Sequence, residues 1–390
     1  MKKFQMHRLT TIVVSKLYWL ILILSIGFAS CQKEPLATNG DDELAIAGKT
    51  AAQLKAPNVV VHNGSSIQAA INAAVAGTII YIEPGTYAEA LVVDKPGIQL
   101  IGLKKSNNKA IIIENPGDED DGIRVTDVGD GFVLENVTVQ NFEENGVFLI
   151  RVDNFVLDHV KAINNGEYGL FPVLSNHGVI KFCTATGSSD TGIYVGQSTD
   201  ITVQFNEAYE NVSGFEIENC TDVDASWNES YNNTAGLLVF LLPGLRVKSS
   251  SNILVAHNKI HDNNHINFAP PDGGFEVYIP QGTGILLLGA DNTTIEHNTI
   301  GNNNFVGIAT VSTLVLGTLA GIPPEAFADI EPNPDGAKIV HNLLNQNGTA
   351  APPGLPLPAV DLLWDGSGTN NCWKFNLYTS SFPASLPECN

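Results

Sequence analysis

The sequence predicts an all-β fold, a right-handed parallel β-helix whose rungs of about 22 to 24 residues stack along one axis. Three observations predict it. Glycines followed by an apolar residue recur at Gly122, Gly146, Gly169, Gly192, Gly214 and Gly236 in steps of 24, 23, 23, 22 and 22, and the pattern resumes with Gly284 and Gly307, 23 apart. Such a step marks a repeat array in which each unit buries its apolar face on the next. After each glycine the residues alternate with the period of a strand. Ile123, Val147, Leu170, Ile193, Phe215 and Leu237 follow by one, and Val125, Leu149, Pro172, Val195, Ile217 and Val239 follow by three. Both sets are expected to face inward. Finally, Asn206, Asn228, Asn258, Asn298 and Asn342 each follow an aromatic residue or a histidine, namely Phe205, Trp227, His257, His297 and His341. Stacked strands bring equivalent residues to about 4.8 Å, so the asparagine column should be a buried amide ladder. The histidines share a spacing set by stacking rather than by a metal's coordination shell, so they read as structural.

A chain of 390 residues with 36 glycines, 44% hydrophobic and only 16% charged residues suits one long solenoid of short buried strands better than several globular units. The formal net charge of −21 repels nucleic acid, which is therefore not expected as a partner. Acidic glycans would need a bridging cation such as Ca2+.

Residues 1–30 read as a lipoprotein signal peptide. Lys2, Lys3, Arg8 and Lys16 give a basic start, an apolar stretch runs from Leu17 to Phe28, and Ala29 and Ser30 precede Cys31. The apolar stretch is too short to cross a bilayer of about 30 Å. Cys31 is therefore the expected lipidation site, and residues 31–57 a polar tether. The expected location is the bacterial cell envelope, at the outer membrane or cell surface, with membrane contact through the lipid alone. Residues 58–390 form the β-helix domain. Ser65 or Ser66 should cap a short helix from Ile67 to Ala76 that covers the first rung. Loops at 241–251, 264–282 and 314–336 should leave the stack, and loops on a rigid solenoid are where binding concentrates. Export makes a disulfide between Cys372 and Cys389 plausible, while Cys183 and Cys220 read as unpaired packing residues.

The run from Ser66 to Ala74 and the segment Thr78 to Tyr87 resemble the N-terminal helix and first strands of pectin-lyase-like β-helix proteins. More of the chain, from Gly122 to Ser312, is similar to the uncharacterised parallel β-helix repeat lipoproteins of bacteria. Tyr168-Gly-Leu-Phe-Pro-Val173, Gly192-Ile-Tyr-Val-Gly-Gln197, Leu238-Val-Phe-Leu-Leu-Pro-Gly244 and Asn267-Phe-Ala-Pro-Pro271 carry that likeness. It implies export and a β-helix and brings no reaction. The first of these segments also resembles the Y-G-F-D-P-H motif of alginate C5-epimerases. Tyr168, Gly169 and Pro172 match, but Phe171 stands for the motif's Asp and Val173 for its His. Both ionisable groups are gone, so the resemblance speaks for the fold and against that activity.

If residues one and three after each glycine face inward, those two and four after it face out. They give the columns Arg124, Phe148, Phe171, Tyr194, Glu216, Leu238 and Thr126, Ile150, Val173, Gly196, Glu218, Phe240. Arg124, Phe148, Phe171 and Tyr194 would form a ribbon suited to sugar rings. Alternatively, a long loop covers the stripe and makes it a second small core. Glu216 and Glu218 share a strand face about 6.5 to 7 Å apart, a separation compatible with two-carboxylate glycoside hydrolysis. Tyr194 or Arg124 could instead serve a polyuronate lyase. Asp118, Asp120 and Asp121, in an acidic run, are candidate Ca2+ ligands or a solvated turn. The function expected is binding of a polysaccharide or other cell-envelope glycan. The alternatives are a lyase, epimerase or hydrolase of this fold, or a structural spacer without a ligand.

Overall fold

A computed structural model of the chain describes residues 58–104 and 109–390. The expected signal peptide, Cys31 and the expected tether lie outside the described residues. No described helix is long and apolar enough to cross a membrane.

The described strands pair in parallel into three sheets of twelve, eleven and ten strands, and each rung contributes one strand to each sheet. One rung shows the plan: Thr199–Gln204 lies in the twelve-stranded sheet, Glu207–Tyr209 in the ten-stranded sheet and Ser213–Glu218 in the eleven-stranded sheet. The glycine columns read from the sequence are the register of this last sheet, hereafter the glycine sheet. Val147 pairs with Ile123 and Leu170, and Phe215 with Ile193 and Leu237. These side chains are fully buried in the solenoid core. Glycine is needed beside them because the chain turns inward there. A Cβ on Gly214 would lie 2.2 Å from Ser230 Oγ and 2.7 Å from the Gly236 carbonyl oxygen.

Two amide ladders bind the rungs together. In the first, the backbone and side-chain N–H groups of Asn206 donate to Asn228 Oδ1, and the pattern repeats through Asn258, Asn298, Asn342 and Asn376. The second passes the same bonds through Asn211, Asn233, Asn263, Asn303 and Asn347, whose side-chain amide donates on to Asp361. Each amide lets a sharp corner be buried without orphaning its backbone donors.

The residue before each asparagine of the first ladder is left-handed, with φ near 58° at Phe205 and 62° at Trp227. The rings at these corners stack in one column through His159, Phe182, Phe205, Trp227, His257, His297, His341 and Phe375. The histidine column is thus the middle of a longer stack whose Phe and Trp members are 46 to 67% exposed.

A short helix, Ile67–Ala73, places Ile67 and Ile71 in the core, and Ser66 accepts the Ala69 N–H at its start. Gly85 opens a further short strand, Gly85–Ala88. The segment 314–336 is not a bare loop. It follows Ser312, the cap of a helix at Thr313–Ala320, and includes a 3-10 turn at Pro324–Phe327. Near the C-terminus a disulfide joins Cys372 and Cys389, and Cys183 and Cys220 are buried and unpaired.

Candidate functional site

The outward columns of the glycine sheet divide into an open part and a covered part. In the open part Arg124 is exposed and its guanidinium lies 4.8 Å from the centre of the Phe148 ring. Phe148 stacks on Phe171 at 5.0 Å, and both are half-buried. Tyr168, which precedes Gly169 and also points outward, stacks on Phe171 at 4.3 Å. The result is a shelf of aromatic rings with a cation at one end, which exposes polarisable apolar surface beside hydrogen-bonding groups.

The shelf continues into Tyr194, which meets Phe171 edge-on at 4.9 Å, and there the cover begins. Tyr194 is 5% exposed, Glu216 2% and Glu218 8%. The expected exposure of these three residues is therefore corrected. They point outward, but the chain between Asp262 and Gly282 passes over them and seats the 3-10 turn Phe275–Tyr278 on the sheet. Farther along, Leu238, Phe240, Leu286 and Leu288 of the same face are buried with Leu242, Ile279, Phe305 and Leu316. The reading of the stripe as a second small core holds for these rungs. The shelf from Arg124 to Phe171 stays open.

Beneath the cover lies a group of acids whose key member the sequence did not indicate. Glu276, on the turn, is buried and hydrogen-bonds Glu216. Carboxylate oxygens of Asp190, Glu216 and Glu276 all lie within 4.8 Å of one another. Thr191 Oγ1 is 2.9 Å from both Asp190 Oδ1 and Glu216 Oε2. One hydroxyl proton serves only one of those bonds, so the other needs a protonated carboxyl. The Tyr194 hydroxyl donates to Glu218 Oε2. Burial raises the pKa of Glu216, Glu276 and Asp190 well above the ordinary range, and their mutual repulsion raises it further. Burial also pushes Glu218 up to about 7, against the lowering effect of the Tyr194 hydroxyl. Tyr168 and Tyr194 are raised as well, first by burial and then by these acids. Ser213, in register with Thr191, buries a hydroxyl without a partner.

Asp118, Asp120 and Asp121 do not gather as a cation cage would. Asp118 and Asp120 are exposed, while Asp121 is bound to Arg124 at 2.9 Å and to Asn145 at 2.6 Å. Among the described residues, the acids that converge closely enough to share an ion are Asp190, Glu216 and Glu276, and, separately, Asp291, Glu331 and Asp335. The tyrosines around the first of these groups, and the protonation that Thr191 requires, mark it as a proton-sharing cluster.

A family model described as the right-handed β-helix region matches residues 121–242 and 240–351. No protein of curated function matches in sequence. Among solved structures, the chain is similar to the A-module of mannuronan C-5 epimerase AlgE4 from Azotobacter vinelandii. The TM-score is 0.51 at 17% identity, over 81% of this chain and 94% of that one. It is also similar to DFA-IIIase from Arthrobacter chlorophenolicus A6 without its lid, with a TM-score of 0.52 at 12% identity, over 78% of this chain and 89% of that one. A point mutant of the periplasmic alginate epimerase AlgG gives 0.51 at 13% identity, over 82% of this chain and 77% of that one. At these identities the likeness is one of fold.

Proposed function

The chain belongs to the right-handed β-helix family, and from that premise we propose that it is an exported, lipid-anchored protein that binds a polysaccharide or other cell-envelope glycan on its glycine sheet. The observation that carries this reading is the open shelf itself. Arg124, Phe148, Phe171 and Tyr168 stand in contact on one outer face where each keeps part of its surface in solvent, beside a segment that buries Tyr194, Glu216 and Glu218. Aromatic surface with a cation at its edge suits the apolar faces and the hydroxyl or carboxyl groups of sugars. Anchoring through Cys31 would hold the shelf at the outer membrane or cell surface, and the short helix at Ile67–Ala73 would cover the first rung. The strongly acidic chain does not suit nucleic acid.

The experiment is a glycan-array screen of the full chain carrying Cys31→Ser, with and without Ca2+. The reading expects retention of a defined glycan that Phe171→Ala weakens. Retention of no glycan, or retention indifferent to Phe171→Ala and Arg124→Ala together, would overturn it.

A second reading, a carbohydrate-active enzyme, is favoured by one observation: Glu218, pushed up to about 7 and bonded by Tyr194, lies beside Glu216, whose pKa burial and the neighbouring acids raise well above the ordinary range. A neutral acid next to an ionisable one is the pairing that glycoside hydrolysis requires. Lyase or epimerase chemistry would draw on Tyr168 or Tyr194 instead. Product analysis on any glycan retained decides it, since turnover lost in Glu216→Gln with retention intact belongs to an enzyme.

A further inference from the structure

The cover over Tyr194, Glu216 and Glu218 is held in an unusual way. The segment 264–282 is tied to the solenoid at its two ends. The His265 N–H donates to the Asn233 carbonyl and the Gly282 N–H to the Thr234 carbonyl, while Asn264 Nδ2 reaches the Asn302 carbonyl. Between these ties Ile266 is largely exposed, and Phe268 and Tyr278 are partly so. The segment presses inward in two ways. One is apolar, with Ile279 buried in the outer core and Phe275 packed against it. The other is Glu276, which enters a space already holding Asp190, Glu216 and Glu218.

The groups facing Glu276 are all acids or phenols: Asp190, Glu216 and Glu218, with Tyr168 and Tyr194 beside them. Among the described residues, the charged groups that act most strongly on these carboxyls are other acids. The same polarity recurs at the segment's exposed edge, where Asp272 faces Glu167 with Asp120 and Asp121 nearby. The polar part of the contact is therefore acid on acid, and only protons make that part cohesive. A protonated carboxyl bridges two acids by donating. Two ionised carboxylates at this separation, out of water, repel.

We infer that residues 264–282 form a proton-latched cover over the glycine sheet, closed by the Glu276–Glu216 contact and released when those acids ionise. Release would extend the open shelf onto Tyr194, Glu216 and Glu218, so the surface offered to a glycan would grow as the medium becomes alkaline. The regulatory meaning rests on the glycan-binding reading. The motion itself does not.

The test is amide hydrogen exchange of the full Cys31→Ser chain in EDTA, without ligand, at about pH 5.5, 7 and 9. Rates are corrected for the intrinsic effect of pH. Peptides spanning 275–281 should exchange at least about tenfold faster at the highest pH than at the lowest, while peptides of the Asn ladders stay unchanged. Glu276→Gln keeps a donor facing Glu216 and removes one charge, so it should flatten the dependence and keep the cover protected at pH 9. Equal protection of 275–281 across the range, or a Glu276→Gln protein with the wild-type pH dependence, would overturn the latch. Because exchange is read without ligand, a failed glycan screen leaves this result standing, and a failed latch leaves the screen standing.

Discussion

The Tyr194 hydroxyl donates to Glu218 across one rung of the glycine sheet. That bond favours the ionised acid and opposes the burial that raises its pKa to about 7. Tyr194→Phe removes the donor and leaves the burial. The Glu218 pKa should therefore rise above about 7, as read by carboxyl-selective NMR titration. An unchanged or lowered value would show that the two side chains do not interact in solution.

The acid cluster also fixes the sign of the pH dependence of stability. Asp190, Glu216, Glu218 and Glu276 all have raised folded-state values, so the folded chain binds more protons than the unfolded chain in the window above the ordinary carboxyl range. Their contribution is fully present below the unfolded pKa near 4.5 and is lost as pH rises towards the folded values, for Glu218 about 7. Glu218 alone accounts for about 2 to 4 kcal/mol across that window if the cover stays closed. Urea denaturation at about pH 5 and 8 should show the loss, and Glu276→Gln should reduce it. A chain more stable at pH 8 than at pH 5 would contradict the cluster.

Asn258 accepts from the backbone and the amide of Asn228 and donates to Asn298. Asn258→Ala strands buried donors on one side and an acceptor on the other, at about 1 to 3 kcal/mol for each group left unpaired. The urea midpoint should fall, while any glycan retention on the distant shelf persists. A loss below about 0.5 kcal/mol would mean that water replaces the amide and that the ladder is not what binds the rungs.

Gly214→Ala probes the repeat register itself. Its Cβ would collide with Ser230 Oγ and the Gly236 carbonyl, so a loss of about 1 to 3 kcal/mol is expected. A neutral substitution would show that the glycine column is not the crowded inner corner.

Most of the solenoid was legible because its determinants are periodic. The glycine steps set the register, and the alternation after Gly214 set which side of the strand each residue occupies. The second amide ladder was equally readable, since Asn211, Asn233, Asn263, Asn303 and Asn347 each follow a member of the first ladder by five residues. Exposure was a different matter. Nothing periodic says where an insertion comes to rest, so Glu276, 60 residues beyond Glu216, gave no sign that it would lie on it. The open shelf and the covered acids carry the same alternation, and only the landing place of 264–282 separates them.

Binding on the open shelf is tested most directly by titrating the best glycan from the array against the Cys31→Ser chain and its Phe171→Ala variant, by calorimetry at fixed pH and salt. Phe171 touches both Phe148 and Tyr168, so its removal should weaken binding by about 0.5 to 1.5 kcal/mol beyond the area lost, with the urea midpoint nearly unchanged. Equal affinity of the two proteins for that glycan would contradict the assignment of the shelf as the binding face.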